Sequence, residues 1–173
     1  MAVGLAPAEN LLPVPGIELA AASAGIYPRQ RPDIALLRFA GDAAVSAVFT
    51  RNDFAAAPVI LARRHAGARP RFCLINAGNA NAGTGVLGVE RALATCACLA
   101  GLADCGPEAV LPFSTGVIGV ELPVEKINRA MPALLEKLAP GGWADCAAAI
   151  VTTDTVTKGL SVQIELDGTP VTV

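Results

Sequence analysis

Apolar and polar positions alternate and cluster in ways that divide the chain into elements. Residues 16–25 mix short apolar stretches with Ala and predict a first strand, and residues 28–32 (Pro-Arg-Gln-Arg-Pro) a polar turn. Residues 34–39 and 44–49 read as two strands split by Gly41-Asp42, a hairpin dipeptide. Residues 58–63 form a short apolar segment, and 71–75 a strand by β-branched and aromatic content. Residues 86–102 repeat apolar positions at helical spacing, and Gly106-Pro107 closes the pattern. Residues 109–112 lead into Ser114-Thr115-Gly116-Val117-Ile118-Gly119. Residues 124–138 predict a second helix, with Pro123 at its start, Glu125 at the positive end of its dipole, Lys137 in the last turn and a kink at Pro132. A third helix is expected over 143–149 and a polar loop over 152–158. Residues 161–166 and 169–173 flank Asp167-Gly168, a hairpin signal. Residues 1–15, broken by Pro7, Pro13 and Pro15, are expected to be a loose lead-in. Strands, then helices, then strands again predict a layered α/β or α+β chain, a single domain over 1–173. The strand-like Thr-Pro-Val-Thr-Val at the end leads to the expectation that polypeptide continues beyond Val173.

Composition sharpens this picture. Of the 173 residues 53% are hydrophobic, only 16% are charged, and the formal net charge is −2. That balance lacks the basic face that displaces counterions from nucleic acid, and it lacks a polybasic membrane patch. The apolar excess is mostly Ala and Val, which points to a partner chain covering apolar surface. No run of 18 apolar residues occurs, so no transmembrane helix is expected, and no basic region precedes the first apolar residues. The five cysteines, Cys73, Cys96, Cys98, Cys105 and Cys146, are odd in number and form no CxxC pair. They read as reduced thiols of a cytoplasmic protein. Cys96 and Cys98 point to different sides of one helix, so they read as small packing residues, and no metal is expected.

Four segments could carry chemistry. The run 76–85 (Asn-Ala-Gly-Asn-Ala-Asn-Ala-Gly-Thr-Gly) lies between a strand and a helix and contains Gly83-Thr-Gly85-Val-Leu-Gly88, a literal GxGxxG. Such a loop can cradle a pyrophosphate, but its first glycine stands seven positions after Asn76, too far for a tight strand-to-helix turn. Asn side chains bonding their own backbone are the alternative. Ser114-Thr115-Gly116 offers a hydroxyl and a bare N–H to a developing oxyanion, or is a plain turn. Residues 152–155 (Thr-Thr-Asp-Thr) cap a turn or bind a polar substrate. His65, the only histidine, is expected at the surface, which leaves a Ser–His–Asp or Cys–His engine unsupported.

Taken in order, six pieces are similar to the ornithine acetyltransferase (glutamate N-acetyltransferase) family of arginine biosynthesis. They are Pro15-Gly16-Ile17 with Ala24-Gly25-Ile26; Arg31-Pro32-Asp33-Ile34-Ala35-Leu36; Ala47-Val48-Phe49-Thr50-Arg51-Asn52 with Ala57-Pro58-Val59; the Asn-Gly run 76–85; Leu111-Pro-Phe-Ser-Thr-Gly-Val-Ile-Gly119; and Thr152-Thr-Asp-Thr155 with Lys158. The resemblance implies an α/β layered sandwich like that of N-terminal-nucleophile hydrolases, completed by a partner β chain. It implies a precursor that cuts itself before a threonine, which becomes the nucleophile at the start of β, with its own α-amine as base. The cleavage segment, a Lys-Gly-x-Gly-Met run ending in Ala-Thr, does not occur here, so this chain resembles an α chain without its last residues. By motif, Thr115 and Gly116 are expected to form the oxyanion hole, and Thr152 to contact substrate. The implied reaction moves an acetyl group from N2-acetylornithine to glutamate, and some members also accept acetyl-CoA as a substrate. No cofactor and no metal are implied, and the assembly would be two α with two β chains. A self-cleaving aminopeptidase or amidase, and a nucleotide-binding α/β domain using Gly83 to Gly88, are the alternatives.

Overall fold

A computed structural model describes residue 8 and residues 10–173. Two strands come first, β1 (Ile17–Ala22) and β2 (Ile34–Phe39), followed by α1 (Ala57–His65), β3 (Phe72–Asn79) and α2 (Gly85–Leu102). A short 3₁₀ turn (Pro107–Ala109) leads into β4 (Val110–Val117), α3 (Val124–Glu136) and α4 (Trp143–Ile150). The hairpin β5 (Gln163–Leu166) and β6 (Thr169–Thr172) closes the series.

β1 to β4 form one sheet in sequence order. β1, β2 and β3 are antiparallel neighbours, whereas β4 runs parallel to β3. A parallel pair needs a crossover, and α2 supplies it. Strand residues alternate between two faces, which sorts the core. Ala20, Ile34, Leu36, Phe72, Leu74 and Val110 face one side and pack with Leu61 of α1, Cys96 and Leu99 of α2, and Ile127, Met131 and Leu134 of α3. Leu19, Ala35, Leu37 and Ile75 face the other side, where α4 supplies Trp143, Cys146 and Ala149. The result is helices, sheet, helix, a three-layer α/β arrangement. Full burial of a side chain such as Phe72 or Leu99 contributes roughly 1.5–3 kcal/mol, so the first face carries most of the stability. The second face is half-covered. α4 sits over β1 and β2, while Phe113 on β4 remains 44% exposed.

Several sequence expectations change here. Residues 43–50 form no strand, and Val48 is 98% exposed. Gly41-Asp42 does turn the chain, but β1 and β3 occupy both edges of β2, so no edge is left for a hairpin partner. The short apolar segment at 58–63 is α1, which begins with Pro58 in its first turn. α3 runs on through Pro132, which lies on its exposed side, and ends one turn later. α2 is long and apolar enough by length and composition to cross a membrane. Here it is a core helix whose stripe of Ala92, Thr95, Cys96, Leu99 and Ala100 is buried. β5 and β6 turn on Asp167 and Gly168, both at positive φ (50° and 76°), as the hairpin dipeptide predicts. The part of the lead-in that is described lacks regular structure but is tied down: Ala8 N–H donates to Thr157 O (3.1 Å) and Leu12 N–H to Ser161 Oγ (3.0 Å). Residues 1–7 and 9 lie outside the described residues.

Candidate active site

The C-terminal ends of β3 and β4 come together because those strands are parallel, and such ends are where open α/β sheets bind ligands. Both strands run further than their apolar residues suggest. β3 continues through Asn76-Ala-Gly-Asn79, and β4 through Ser114-Thr115-Gly116. Ser114-Thr115-Gly116 is therefore strand, and the plain-turn reading is overturned. The ladder pairs Ala77 with Thr115 and Gly78 with Gly116, then slips at Asn79. Gly78 and Gly116 both hold positive φ, 95° and 136°. A Cβ on Gly116 would stand 2.4 Å from the Gly78 carbonyl carbon and 2.6 Å from the Asn79 nitrogen. Only a glycine at 116 lets the two backbones approach this closely, and the register slips there as in a β-bulge. By alternation Thr115 lies on the face of Ile75 and Phe113, the face on which α4 packs.

Asparagines hold the bulge in shape. Ser114 Oγ donates to Asn76 Oδ1 (2.6 Å), and Asn76 Nδ2 donates to Asn79 O (2.9 Å). Asn79 Nδ2 donates to the carbonyls of Val120 (3.1 Å) and Glu121 (3.0 Å), while its Oδ1 accepts from Asn81 N–H (2.8 Å). Asn81 Nδ2 donates to Gly88 O (2.9 Å), and its Oδ1 accepts from Thr84 Oγ (2.9 Å). All three asparagines are buried, where an unmatched amide would cost about 1–3 kcal/mol, so their bonds specify one loop conformation. The same packing accounts for the third glycine of the GxGxxG run. A Cβ on Gly88 would meet Thr84 Oγ at 2.0 Å and Asn81 Oδ1 at 2.7 Å. Gly88 is therefore a packing glycine of this loop, whereas Gly85, at the start of α2, meets nothing within 4 Å.

A second strap lies against the bulge. Asp33, fully buried, accepts from the N–H groups of Ala24 (2.6 Å), Ile26 (2.6 Å) and Tyr27 (3.1 Å). These bonds shape the loop between β1 and β2 and press it onto Gly78: a Cβ there would lie 2.8 Å from Ile26 Cγ2 and 3.4 Å from the Tyr27 ring. The Arg31 guanidinium stacks 4.7 Å above the Tyr27 ring centroid. Its Nη2 donates to the carbonyls of Ala148 (2.9 Å) and Val151 (2.8 Å), the exposed end of α4. Thr152, partly buried, is the next residue. Thr115 and Gly116 are thus neighbours on β4, and a chain of contacts through Gly78, Tyr27 and Arg31 runs from them to Val151, the residue before Thr152. A cleft of about 560 Å³ beside β4 is lined by Phe39, Phe49, Cys73, Phe113 and Ser114 among others, and its lining ends one residue before Thr115.

The remaining candidates for chemistry are structural. His65 is buried, 7% exposed, and its Nδ1 lies 2.8 Å from Val110 O, so the expectation of a surface histidine is wrong. It closes α1 against the start of β4, because an imidazole offers an apolar edge and one hydrogen-bonding nitrogen. All five cysteines are free. Burial pushes the Cys96 thiol up to about 12, and the thiols of Cys73 and Cys146 up to about 11. None of these three is a thiolate nucleophile near neutrality. No group of three His, Cys, Asp or Glu suited to a metal occurs among the described residues. Asn76, Asn79 and Asn81 were visible as a polar run and Ser114 as part of a separate segment, but their role depends on β3–β4 pairing. Arg31 and Asp33 lay within one of the six matching pieces but with no role attached, and Tyr27 carried no signal.

A mixed sheet between helices is the α/β architecture of solved ornithine acetyltransferases. The solved ornithine acetyltransferase of Mycobacterium tuberculosis, complexed with ornithine, superposes with a TM-score of 0.78 at 33% identity, over 87% of this chain and 80% of that one. The arginine biosynthesis bifunctional protein of Bacillus halodurans also superposes with a TM-score of 0.78, at 28% identity over 92% of this chain and 84% of that one. The chain belongs to the ArgJ family, whose pattern matches residues 18–173. The arginine biosynthesis bifunctional protein ArgJ of Pseudomonas syringae pv. tomato is 51% identical over the whole chain, which spans only 43% of that relative's length.

Proposed function

We propose that this chain is the α portion of an acetyltransferase of arginine biosynthesis, which moves the acetyl group of N2-acetylornithine to glutamate through an acetyl-threonine on a β chain cut from the same precursor. The observation that carries the reading is the pair Thr115 and Gly116 at the β3–β4 bulge, in a chain of the ArgJ family. Coverage supports the two-chain arrangement: the sequence spans 43% of the curated relative but 80% and 84% of the two solved chains. Those solved chains are accordingly much shorter than the whole relative, as expected of one product of a cut precursor. In the reaction, the β-chain threonine Oγ attacks the acetyl carbonyl and its proton passes to the α-amine. The Thr115 hydroxyl and the Gly116 N–H donate to the oxyanion. Collapse expels ornithine, whose amine takes the proton, and the glutamate amine then attacks the acetyl ester by the reverse path. One oxyanion donor is typically worth 10²–10³ in rate. Thr152 would bind the N-acetyl amino acid. No cofactor is needed, and the five free thiols suit a cytoplasmic enzyme, in an assembly of two α and two β chains.

The test is acetyl transfer by the full-length gene product. Ornithine release from N2-acetylornithine is expected to depend on glutamate, with N-acetylglutamate as product. Release that continues without glutamate would make the protein an amidase. Replacing N2-acetylornithine with acetyl-CoA decides whether acetyl-CoA is a second donor.

A further inference from the structure

We propose that Arg31 is a positioning residue that sets Thr152 against the Thr115–Gly116 bulge, and so governs how tightly the acetylated donor is held. Four contacts carry the inference. Arg31 Nη2 bridges the carbonyls of Ala148 and Val151, so the residue immediately before Thr152 is fixed by a charged donor. The same guanidinium lies over Tyr27. Ile26 and Tyr27 pack directly on Gly78, where a Cβ would lie 2.8 Å from Ile26 Cγ2 and 3.4 Å from the Tyr27 ring. Gly78 is the ladder partner of Gly116. One side chain therefore spans from the end of α4 to the strap that bears on the bulge.

The anchoring is not a generic surface contact. Helix ends leave their last carbonyls without intrahelical partners, and α4 has no basic residue in its last turn to serve them. Arg31 comes from the β1–β2 loop, more than a hundred residues away, and supplies both bonds. Its own base is firm. Asp33, two residues on, holds the loop by three N–H bonds, and Lys126 Nζ of α3 donates to Gly25 O (2.7 Å). A lysine could not do the same work, because one ammonium cannot stack flat on Tyr27 while bridging two carbonyls.

The inference rests on the reading of Thr152 as a substrate contact, and the experiment separates the two. Arg31→Gln, Arg31→Lys, Thr152→Val and the double variant Arg31→Gln/Thr152→Val are made in the full-length, self-processed protein. KM and kcat are measured for N2-acetylornithine with glutamate, together with amide exchange over residues 148–155. Arg31→Gln is expected to raise KM about two- to tenfold, the range of one lost hydrogen bond, with kcat within about twofold. Amides at 151–155 should exchange faster while those of β2 and β3 do not. Arg31→Lys should fall between wild type and Arg31→Gln, and it also keeps the proposal testable if Arg31→Gln does not fold. The double variant should be no worse than the worse single variant, because both changes remove one function. Unchanged KM in both Arg31 variants overturns the proposal. So do additive losses in the double variant, or a fall in kcat matched by faster exchange throughout the sheet, which would make Arg31 only a stabilising residue. If Arg31→Gln loosens 151–155 but Thr152→Val leaves KM unchanged, the Thr152 assignment fails and the positioning role falls with it. The oxyanion assignment of Thr115 stands or falls separately, on kcat.

Discussion

Thr115 and Gly116 are neighbours, yet substitution would remove different things. Thr115→Ala deletes a hydroxyl on a partly buried strand position and leaves the backbone able to keep its path. If the hydroxyl meets charge only in the transition state, kcat should fall about 10²–10³-fold while KM moves little. Equal rates in variant and wild type would take Thr115 out of the mechanism. Gly116→Ala is harsher. Its φ of 136° is a glycine conformation, and the new methyl would sit 2.4 Å from the Gly78 carbonyl carbon. Backbone cannot yield as a flexible side chain can, so the bulge must open. Both activity and Tm should drop, and a Gly116→Ala protein with wild-type Tm would show that the bulge is softer than its geometry implies. The thiols give a pH signature. Cys73, Cys96 and Cys146 have folded values of about 11, 12 and 11 against an ordinary 9.0. A raised folded value means that the unfolded chain loses these protons first. Their contribution is intact below pH 9 and drains away between pH 9 and about 11–12. Thermal melts should therefore fall across that window, and Cys96→Ala should flatten the slope.

At the scale of elements, legibility followed how local each determinant is. α2, α3, α4 and the β5–β6 turn were readable because helical spacing and Asp167-Gly168 are local signals. Residues 44–49 were misread because their Val and Phe content is strand-like, while the competition for β2 edges that denies them a partner is not written nearby. His65 was misread because a buried imidazole needs a distant carbonyl, and Val110 O stands 45 residues on. The ends of β3 and β4 were cut short for a similar reason: Asn, Ser and Gly have poor strand propensity, and only pairing across the bulge makes them strand. The candidate site was legible as Thr115, Gly116 and Thr152 through motif resemblance alone. Nothing in the spacing joins 152 to 115, because the link runs through Arg31 and Tyr27. The asparagine loop makes its own prediction. Asn81→Ala would leave the Thr84 hydroxyl without its acceptor, the Gly88 carbonyl without its side-chain donor and a gap at a fully buried position, at a cost of about 1–3 kcal/mol. Tm of the full-length protein should fall by several degrees, and an unchanged Tm would mean that water replaces the amide at no cost.

At the scale of the whole molecule, the two faces of the sheet are unequal. One is sealed by α1, α2 and α3, whereas the β3–β4 half of the other leaves Phe113 open beside the cleft, with Val117, Ile118 and Val120 exposed just beyond. β4 also has no strand on its outer edge among the described residues. An apolar edge strand of this kind templates association. Residues 1–173 expressed alone should be insoluble, or should bind hydrophobic dyes and melt without cooperativity; a monomer with a sharp transition would contradict this. The half-bare face also has a consequence in time. If the remainder of the precursor is what shelters it, the newly made polypeptide must reach its finished shape while still in one piece, and scission is then a late event carried out by an already assembled machine. A precursor barred from cutting itself should be as well folded as the mature enzyme, differing from it in chemistry alone.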